Sequence, residues 1–358
     1  MLKVIYLMAL LGVVMDAASQ TQSITDGPYL FYRNDSLFIE EISNGQLKSN
    51  AYTPDNAPAS IQVSLPGRPE SYFTVPFKKK MESPPSEYKM VDKLFVTSDI
   101  EGNFNAFEKL LLAGGVIDQQ LKWTFGTGHL VVCGDLFDRS NEVTACLWLL
   151  YKLEEEAKAN GGFVHVIMGN HEIMNLSEDF RYVHPKYMEA AKLMNRNYAE
   201  LYSADTELGR WLRTKNIMEK IGSYLFLHAG VSQQVNETNF SLKKINARVR
   251  PLYDKDGMAH ILEEAKATVF FGNASPFWYR GYFASPAAPQ EQVDQTLRLF
   301  NVQKIIVGHT IVDSIRCMYN GKIIAIDVDH HKNHHEALVY EKDCFYRINT
   351  EGIKTKLE

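Results

Sequence analysis

The sequence has no excess of positive charge and no apolar run long enough to cross a membrane. Its 358 residues include 38 Lys and Arg against 43 Asp and Glu, a formal net charge of -5. This balance removes the overall electrostatic case for a nucleic-acid-binding protein. The apolar run at residues 4–15 is well short of the ~20 residues that a membrane-spanning helix needs. We therefore expect no nucleic-acid partner and no integral membrane span in the mature chain.

Cysteine is scarce, with four residues in the whole chain, which excludes a small scaffold held together by disulfides. Cys133 ends an apolar run and is predicted to be a buried thiol. Cys317 and Cys344 fall in neighbouring predicted strands near the C-terminus. The pattern therefore leaves a disulfide between these two residues open.

Residues 1–19 have the composition of a secretory signal peptide. Lys3 precedes the apolar run, and small residues follow it at positions 17–19, as in the charged, apolar and cleavage regions of such signals. We expect cleavage near Ser19 and export of the mature protein, to a periplasm or outside the cell. An uncleaved membrane anchor is the alternative interpretation.

The rest of the chain divides into a β-rich N-terminal extension, residues 20–92, and a larger domain, residues 93–358. In the extension, apolar and polar residues alternate around a turn at residues 34–36, which predicts a β-hairpin. In the larger domain, short apolar strands alternate with loops and helices, which is typical of an α/β fold. Residues 177–220 have helical spacing and predict a helical insert without strands. An Asn-Gly turn at residues 320–321 predicts a C-terminal hairpin.

Five of the predicted strands end in polar side chains. The strands KLFVTSD, HLVVCGD, FVHVIMGN, SYLFLHAG and KIIVGHT are apolar for several residues and then deliver carboxylates, an amide or an imidazole. Because loops at the carboxyl ends of strands in open α/β sheets converge on one crevice, we expect these groups to meet. They are the donors that a pair of divalent cations needs. The polar residues are Asp99, Glu101, Asp135, Asp138, Arg139, Asn170, His171, Glu172, His228 and His309.

Several short motifs stand at or near these strand ends: GDLFDR at 134–139, GNHE at 169–172, FRYV at 180–183, HAG at 228–230, WYRGY at 278–282 and GHT at 308–310. Their order and spacing resemble the calcineurin-like metallophosphoesterases, in particular the phosphoprotein phosphatase branch. FRYV and WYRGY are most like the bacterial and plant Shewanella-like phosphatases. The resemblance covers about residues 93–329 and implies an α/β fold of two packed β-sheets flanked by helices, in four αββα layers. We expect residues 93–358 to form the catalytic domain.

The resemblance also implies two divalent metal ions, Mn by expectation and Fe, Zn or Mg as alternatives. A hydroxide that bridges the two ions would attack phosphorus in line. Glu172 is expected to form hydrogen bonds within the site rather than to ligate. The implied ligands are Asp99, Glu101 and Asp135 for the first ion, and Asp135, Asn170, His228 and His309 for the second.

The same resemblance assigns the acid and the phosphate-binding residues. His171 would protonate the leaving oxygen, a contribution of ~10²–10⁴-fold, and Asp138 would orient its ring. Arg139 and Arg280 would bind phosphate oxygens with their guanidinium groups. Arg181 is a further candidate for phosphate binding, and a salt bridge on the protein surface is the alternative interpretation.

The first motif departs from the family pattern at Glu101. That pattern is Asp-x-His, whereas this chain has Asp99, Ile100 and Glu101, so a carboxylate replaces a neutral imidazole. If Glu101 ligates, the first ion has only oxygen ligands, which favours hard ions such as Mn²⁺ or Mg²⁺. The extra negative charge is expected to raise the pKa of the bridging water and to lower activity near neutral pH. The alternative is a lost ligand, with one metal or no catalysis.

Four of the eleven histidines lie in the segment DHHKNHH, residues 329–335. An auxiliary metal site, or a histidine that returns to the first metal, is one interpretation. We favour a polar loop, because His330 and His331 would point to opposite sides of an extended chain.

Three functions remain as hypotheses. The leading one is a metal-dependent phosphomonoesterase that acts on phosphorylated Tyr, Ser or Thr side chains of proteins or on small phosphate esters. A nucleotide or dinucleoside polyphosphate hydrolase would need a wider cleft and further basic side chains. A phosphate-binding module would result if Glu101 had abolished catalysis. Trp278, Tyr279 and Tyr282 either stack on a phenol ring or belong to the core, and the oligomeric state is left open.

Overall fold

Two six-stranded β-sheets form the centre of the structure, a computed structural model that describes residues 24–68, 70–254 and 268–358. The strands are β1 (Asp26–Arg33), β2 (Ser36–Ser43), β3 (Gln46–Tyr52), β4 (Ser60–Ser64), β5 (Tyr72–Pro76), β6 (Glu87–Tyr88), β7 (Lys93–Thr97), β8 (His129–Val132), β9 (Phe163–Val166), β10 (Met218–Ile221), β11 (Tyr224–Leu227), β12 (Lys304–Val307), β13 (Arg316–Met318), β14 (Ile323–Ala325), β15 (Glu336–Glu341), β16 (Cys344–Asn349) and β17 (Lys354–Lys356). The α-helices are α1 (Phe104–Ala113), α2 (Val143–Ala159), α3 (Asn170–Leu176), α4 (Pro185–Leu193), α5 (Glu207–Arg213), α6 (Gln233–Glu237), α7 (Leu242–Val249) and α8 (Gln290–Phe300). Short 3-10 helices occupy Tyr198–Tyr202, Arg250–Leu252, Thr268–Phe270 and His330–Lys332.

The two large sheets each contain a parallel core. Sheet I has the strand order β17-β16-β15-β7-β8-β9, and sheet II has the order β13-β14-β12-β11-β10-β6. The strands β7, β8 and β9 are parallel in sheet I, and β11, β12 and β14 are parallel in sheet II. The predicted two-sheet α/β fold is therefore confirmed. The predicted hairpins are confirmed as β1–β2 and β13–β14.

Alternate residues of the central strands divide between two buried clusters. In β7, Leu94 and Val96 belong to a cluster that also contains Phe226 and Ile306 of sheet II. Phe95, between them in sequence, belongs to the larger cluster that includes the helices. Such a period of two is what a strand buried on both faces produces, because successive side chains point to opposite faces.

Helices cover the outer faces of both sheets. In sheet I, α1 packs against β16 and α2 against β9, and α7 packs against β10 of sheet II. The start of α1 is fixed by Asn103, whose side chain accepts a hydrogen bond from the Ala106 amide, the usual role of Asn at a helix N-terminus. This cap places α1 directly after the first polar loop.

The N-terminal extension packs on the larger domain. The indole N–H of Trp148 in α2 donates to the carbonyl of Pro28 at 2.9 Å. Tyr29 and Phe31 of β1 belong to the same buried cluster as Trp148. The extension therefore shares a hydrophobic core with the residues that follow it, and the division of the chain at residue 93 stays a prediction.

A buried ion pair between Arg196 and Glu40 holds the extension in place. The two Glu40 oxygens accept from Arg196 at 2.8 Å each, the two side chains are 8% and 9% exposed, and the guanidinium lies 3.6 Å from the Phe31 ring centroid. Removal of one partner leaves the other charge buried and unpaired, so we expect Arg196→Ala to lower the free energy of unfolding by ~3–5 kcal/mol in urea denaturation. Arg33→Ala is the control, because Arg33 pairs with Glu200 at 46% exposure, where a pair contributes ~0–1 kcal/mol. Equal losses in both variants would contradict this assignment.

The helical insert predicted for residues 177–220 is wrong at its end. Helices α4 and α5 and a 3-10 helix lie in this range, but Met218–Ile221 forms β10, which pairs antiparallel with β11. A run of four residues is too short for the spacing of its apolar residues to distinguish a strand from a helix.

The four cysteines are free thiols in the structure. Cys133 is buried, as predicted. Cys317 lies in β13 of sheet II, whereas Cys344 lies in β16 of sheet I. The two residues are therefore not in neighbouring strands, and they form no disulfide.

The predicted signal peptide, residues 1–19, lies outside the described residues, so cleavage and export stay predictions. Within residues 24–68, 70–254 and 268–358, no helix has both the length and the apolar character needed to cross a bilayer.

Candidate metal centre and active site

The loops that follow the parallel strands meet at one end of the two sheets. The Asp99 amide donates to the Gly134 carbonyl at 3.0 Å and joins the loops after β7 and β8. The Gly308 amide donates to the His228 carbonyl at 2.7 Å and joins the loops after β11 and β12. The His309 amide donates to Asp99 Oδ2 at 3.0 Å and links sheet II to sheet I. The strand ends therefore converge, as the pattern of apolar and polar residues predicts.

Six residues of these loops have a left-handed backbone conformation, which costs a non-glycine residue about 1–3 kcal/mol. Such a residue turns the chain sharply, so its side chain reaches the crevice directly after the strand ends. Strained backbone of this kind is frequent at functional sites. The six residues are Asp99 (φ 53°), Glu101 (φ 48°), Asp135 (φ 56°), Asp138 (φ 75°), Arg139 (φ 57°) and His309 (φ 64°).

Three buried side chains surround the Nε2 atom of the buried His228, and we name the four residues the His228 cluster: Asp135, Asn170, His228 and His309. His228 Nε2 lies 2.8 Å from Asn170 Oδ1, 3.1 Å from His309 Nδ1 and 3.2 Å from Asp135 Oδ2. Ligands that lie ~2.0–2.2 Å from one cation are themselves about 3 Å apart. The spacing of the cluster therefore suits a shared ion.

The hydrogen bonding of His228 gives a second reason for a cation. His228 Nδ1–H donates to the Cys133 carbonyl at 2.7 Å, so Nε2 of the neutral ring is an acceptor. It faces the carbonyl oxygen of Asn170 and the carboxylate of Asp135, which are also acceptors. Burial lowers the pKa of His228, but the Asp135 charge outweighs burial and raises the pKa to about 9, so without a cation a proton on Nε2 takes the place between these acceptors. A divalent cation among these acceptor atoms would satisfy all of them, so the residues fit a metal ion.

A second group of possible ligand atoms consists of Glu101, Asp135 and His171, within 4.8 Å of one another. Asp135 belongs to both groups, as expected of a bridging ligand. Asp99 is buried in the same crevice but lies in neither group of the described residues. Burial, and then the charges of Asp135 and Glu101, raise the pKa of Asp99 to about 7, although His228 opposes them. A cation would relieve this crowding of carboxylates.

Asp327 is a further buried carboxyl group here, and it is not among the residues predicted from the sequence. Burial and the charges of Asp99, Glu101 and Asp135 raise its pKa well above the usual range. Asp327 follows β14, which runs parallel to β12, so the residue lies at the same end of sheet II. Its segment IAIDVD has the same apolar pattern as the other strand ends, but the segment is predicted as part of a hairpin and not as a strand that ends at the site.

His171 is held by a chain of hydrogen bonds. Its Nδ1 donates to Asp138 Oδ2 at 2.6 Å, and Asn175 Nδ2 donates to Asp138 Oδ1 at 2.9 Å. The Tyr198 hydroxyl donates to Asn175 Oδ1 at 2.6 Å. These contacts direct His171 Nε2 into the crevice, 3.7 Å from Asp135 Oδ2. Burial lowers the pKa of His171, but Asp135 and Asp138 outweigh burial and raise the pKa to about 9. The sequence motif predicts Asp138, but no pattern in the sequence indicates Asn175 or Tyr198.

Two predicted arginines border the crevice. Arg139 Nε lies 3.0 Å from Glu101 Oε1, and its side chain is 43% exposed. Arg280 Nη1 donates to the His309 carbonyl at 2.9 Å and to the Thr310 hydroxyl at 3.1 Å. Both guanidinium groups keep further N–H groups that can bind an anion.

Arg181, the third predicted arginine, forms a salt bridge with Asp179 on the surface, which is the alternative that the sequence left open. Its neighbour Tyr182 is 46% exposed, and its ring lies 5.3 Å from that of His171, centroid to centroid. The guanidinium of Arg139 lies 6.0 Å from the same ring. Tyr182 therefore forms an exposed aromatic wall that sequence analysis did not identify.

The aromatic WYRGY segment divides between the site and the core. Trp278 lies edge-on to the His309 ring, with centroids 5.8 Å apart. Tyr282 is buried and its hydroxyl accepts from the Val231 amide at 3.1 Å. Tyr279 is partly buried and packs against the core. Of the three aromatic residues in question, Trp278 is the one that contacts a site residue.

Glu172 holds two of the site loops together. It accepts hydrogen bonds from the amides of Asp135, Leu136 and Gly169 at 2.9, 2.7 and 2.7 Å. Its carboxylate is therefore used by backbone groups of the loops after β8 and β9, in keeping with the expected role as a hydrogen-bonding partner.

The histidine-rich segment returns to the site, so the interpretation as a loop that only meets solvent and backbone is wrong for His331. His331 Nε2 lies 2.6 Å from Glu101 Oε2. His330 instead stacks on His335, with ring centroids 5.3 Å apart. His330–Lys332 is a 3-10 helix and not an extended segment, so the predicted alternation of His330 and His331 between two sides is wrong.

Comparisons with known proteins agree with this geometry. The family model described as calcineurin-like phosphoesterase matches residues 93–313. The crystal structure of the cold-active protein-tyrosine phosphatase of a psychrophile Shewanella species is 33% identical and covers 93% of this chain and 99% of that chain, with a TM-score of 0.85. Shewanella-like protein phosphatase 2 of Arabidopsis thaliana is 27% identical over 68% of this chain and 72% of its own length. An uncharacterised protein of Schizosaccharomyces pombe is 28% identical over 70% of this chain and 76% of its own length.

The family match spans more than half of the chain and contains the strand-end loops described above. Divalent metal ions are characteristic of this family, and the ligand groups that share Asp135 are of the kind that holds them. The chain therefore belongs to the calcineurin-like phosphoesterases, is similar to the Shewanella-like protein phosphatases, and is a hydrolase of phosphoric ester bonds.

Proposed function

We propose that this phosphatase is a metal-dependent phosphomonoesterase of phosphorylated protein side chains, with phosphotyrosine preferred over phosphoserine and phosphothreonine. The observation that carries the proposal is the arrangement around Asp135. This residue belongs to two groups of buried ligand atoms, and His171 Nε2 lies 3.7 Å from its carboxylate. An acid group thus lies beside the place where two cations would hold a phosphate.

The metal ions would supply an activated water and would neutralise the phosphate oxygens. The side chains that would hold them are Asp99, Glu101, Asp135, Asn170, His228 and His309. Arg139 and Arg280 would bind the remaining phosphate oxygens, because a guanidinium presents paired N–H donors to such oxygens. Mn²⁺ is the proposed metal, since the side chains proposed for the first ion, Asp99, Glu101 and Asp135, are all carboxylates.

His171 would protonate the leaving oxygen through Nε2. Its other nitrogen is bonded to Asp138, which fixes both the tautomer and the direction of the ring. Proton donation to a leaving group contributes ~10²–10⁴-fold to the rate when the acid is positioned in this way.

The preference for an aryl phosphate is supported by the walls of the crevice. Tyr182 stands exposed beside His171, and Trp278 stands beside His309. A substrate phenol ring has two aromatic surfaces to pack against, whereas a serine side chain has no such group. The similar Shewanella protein is described as a protein-tyrosine phosphatase.

Metal removal and a substrate panel test the proposal. Chelated protein should lose activity and regain it with Mn²⁺, measured with a chromogenic aryl phosphate. The panel compares phosphotyrosine, phosphoserine and phosphothreonine peptides, a nucleoside triphosphate and a diester.

Tyr182→Ala should lower kcat/KM for the phosphotyrosine peptide ~3–10-fold, because an aromatic contact contributes ~0.5–1.5 kcal/mol. It should leave kcat/KM for the phosphoserine peptide unchanged. Tyr72→Ala is the control, because Tyr72 is 53% exposed in β5 of the N-terminal extension.

Three outcomes would contradict the proposal. Faster hydrolysis of the nucleotide than of every peptide would favour a nucleotide hydrolase. Binding of phosphopeptides without turnover under any metal would favour a binding module. Full activity in the presence of a strong chelator would exclude metal dependence.

A further inference from the structure

Glu101 is held by two side chains from distant parts of the chain. Its Oε1 atom lies 3.0 Å from Arg139 Nε, and its Oε2 atom lies 2.6 Å from His331 Nε2. The Glu101 side chain is 6% exposed, so these contacts dominate its surroundings. Each of its two oxygens therefore faces a ring or guanidinium nitrogen of its own.

The loop that carries His331 is itself docked on the loop that carries Glu101. Asn103 Nδ2 donates to the His330 carbonyl at 3.4 Å, and the same Asn103 caps α1 directly after the Glu101 loop. His330 is buried and stacks on His335. The His331 backbone is therefore fixed in relation to Glu101 by contacts that do not involve the His331 ring.

His331 does not join either group of close ligand atoms found among the described residues. Its ring contacts the oxygen of a carboxylate, and a carboxylate oxygen has lone pairs for both a hydrogen bond and a metal. The 2.6 Å contact is also shorter than the ~3 Å that separates two ligands of one cation, so it fits an outer residue that orients a ligand.

We propose that His331 is a positioning residue for Glu101, and that the Glu101–His331 pair does the work of the imidazole that the first motif lacks. The inference rests on the proposed two-metal function. Asp99, Asp135 and Asp327 are further buried carboxyl groups of the same crevice. A hydrogen bond from His331 disperses the charge of Glu101 and directs its carboxylate to the first ion. Loss of such an outer partner typically weakens metal binding 10–100-fold.

A double-mutant cycle on metal binding tests this pair. Mn²⁺ stoichiometry and dissociation constants are measured by equilibrium dialysis and by EPR of bound Mn²⁺ for the wild type, His331→Ala, Glu101→His and the double variant. In the wild-type background, His331→Ala should weaken the binding of one of the two Mn²⁺ ions ~10–100-fold and leave the affinity for the other unchanged. In the Glu101→His background, the same substitution should have no effect, because the imidazole no longer needs a partner.

Two further variants separate orientation from general damage to the loop. His331→Gln keeps an N–H donor and should recover most of the affinity that His331→Ala loses. His334→Ala is the matched control, because His334 is 45% exposed and its nearest charged partner is Glu336 at 3.7 Å. Its Mn²⁺ affinities should equal those of the wild type.

The outcomes separate this inference from the proposed function. If wild-type protein binds two Mn²⁺ ions but His331→Ala binds both as tightly, the pair has no positioning role and the inference is overturned. Equal losses from His331→Ala in both backgrounds overturn it as well, since His331 would then act without Glu101. If the wild type binds fewer than two ions, the two-metal function itself fails.

Discussion

Asp135→Asn should lower kcat for an aryl phosphate by ~10³-fold or more, because metal ions contribute several kcal/mol to such reactions. Asp135 belongs to both ligand groups, so one substitution weakens both metal positions. Asparagine has the same shape, and its oxygen can still accept the His171 amide hydrogen bond that Asp135 Oδ1 accepts at 3.0 Å. The loss should therefore come from charge and ligation, with the fold retained. Steady-state kinetics and the metal content of the purified variant measure it.

Asp118→Asn is the control for this experiment. Asp118 Oδ1 accepts from the amides of Gln120 and Lys122 at 2.9 Å each, a contact that an asparagine oxygen can also make. Its kcat and metal content should match the wild type. Two bound metals and near-wild-type kcat in Asp135→Asn would refute the bridging role.

His171→Asn should lower kcat by ~10²–10⁴-fold, the usual contribution of a general acid. KM should change little, because Arg139 and Arg280, the proposed phosphate-binding residues, are untouched. The loss should depend on the leaving group. Phenyl phosphate needs a proton on the departing oxygen and should show the full loss, whereas 2,4-dinitrophenyl phosphate leaves as a stable phenolate and should show little. A comparison of kcat for the two substrates measures this dependence.

His184→Asn serves as the control for the acid. His184 caps α4 by accepting from the Lys186 amide at 3.2 Å, a role that asparagine performs well. It should leave both substrates unaffected. An equal loss for both leaving groups in His171→Asn would contradict proton transfer and would instead indicate that His171 is a metal ligand, as its place beside Glu101 and Asp135 permits.

The sequence predicts those site residues that directly follow an apolar strand. Asp99, Asp135, His228 and His309 each come within three residues of the end of β7, β8, β11 or β12. Their place in the crevice is therefore decided by local chain direction, because parallel strands end at the same edge of a sheet. The two-sheet fold follows from the same pattern together with the family resemblance.

Contacts made by residues far apart in sequence could not be predicted in this way. His331 reaches Glu101 across 230 residues, and it does so through a 3-10 helix that no local pattern indicates. Tyr198 supports the Asp138–His171 pair through Asn175, a contact that depends on how the helices after β9 pack. Such positions depend on tertiary structure, and spacing along the chain carries no signal for them.

The left-handed residues in the strand-end loops have a consequence for efforts to make this protein more heat-resistant. Glycine adopts positive φ without steric penalty, so glycine at Asp99, Glu101 or Asp135 would relax the main chain while it removes a proposed metal ligand. Thermal stability thus favours glycine at these positions, whereas catalytic activity favours the carboxylates, a known trade-off in engineered enzymes. A library screened for heat resistance alone would accumulate variants that are stable but inactive. Each selection round therefore has to include a measurement of phosphate release.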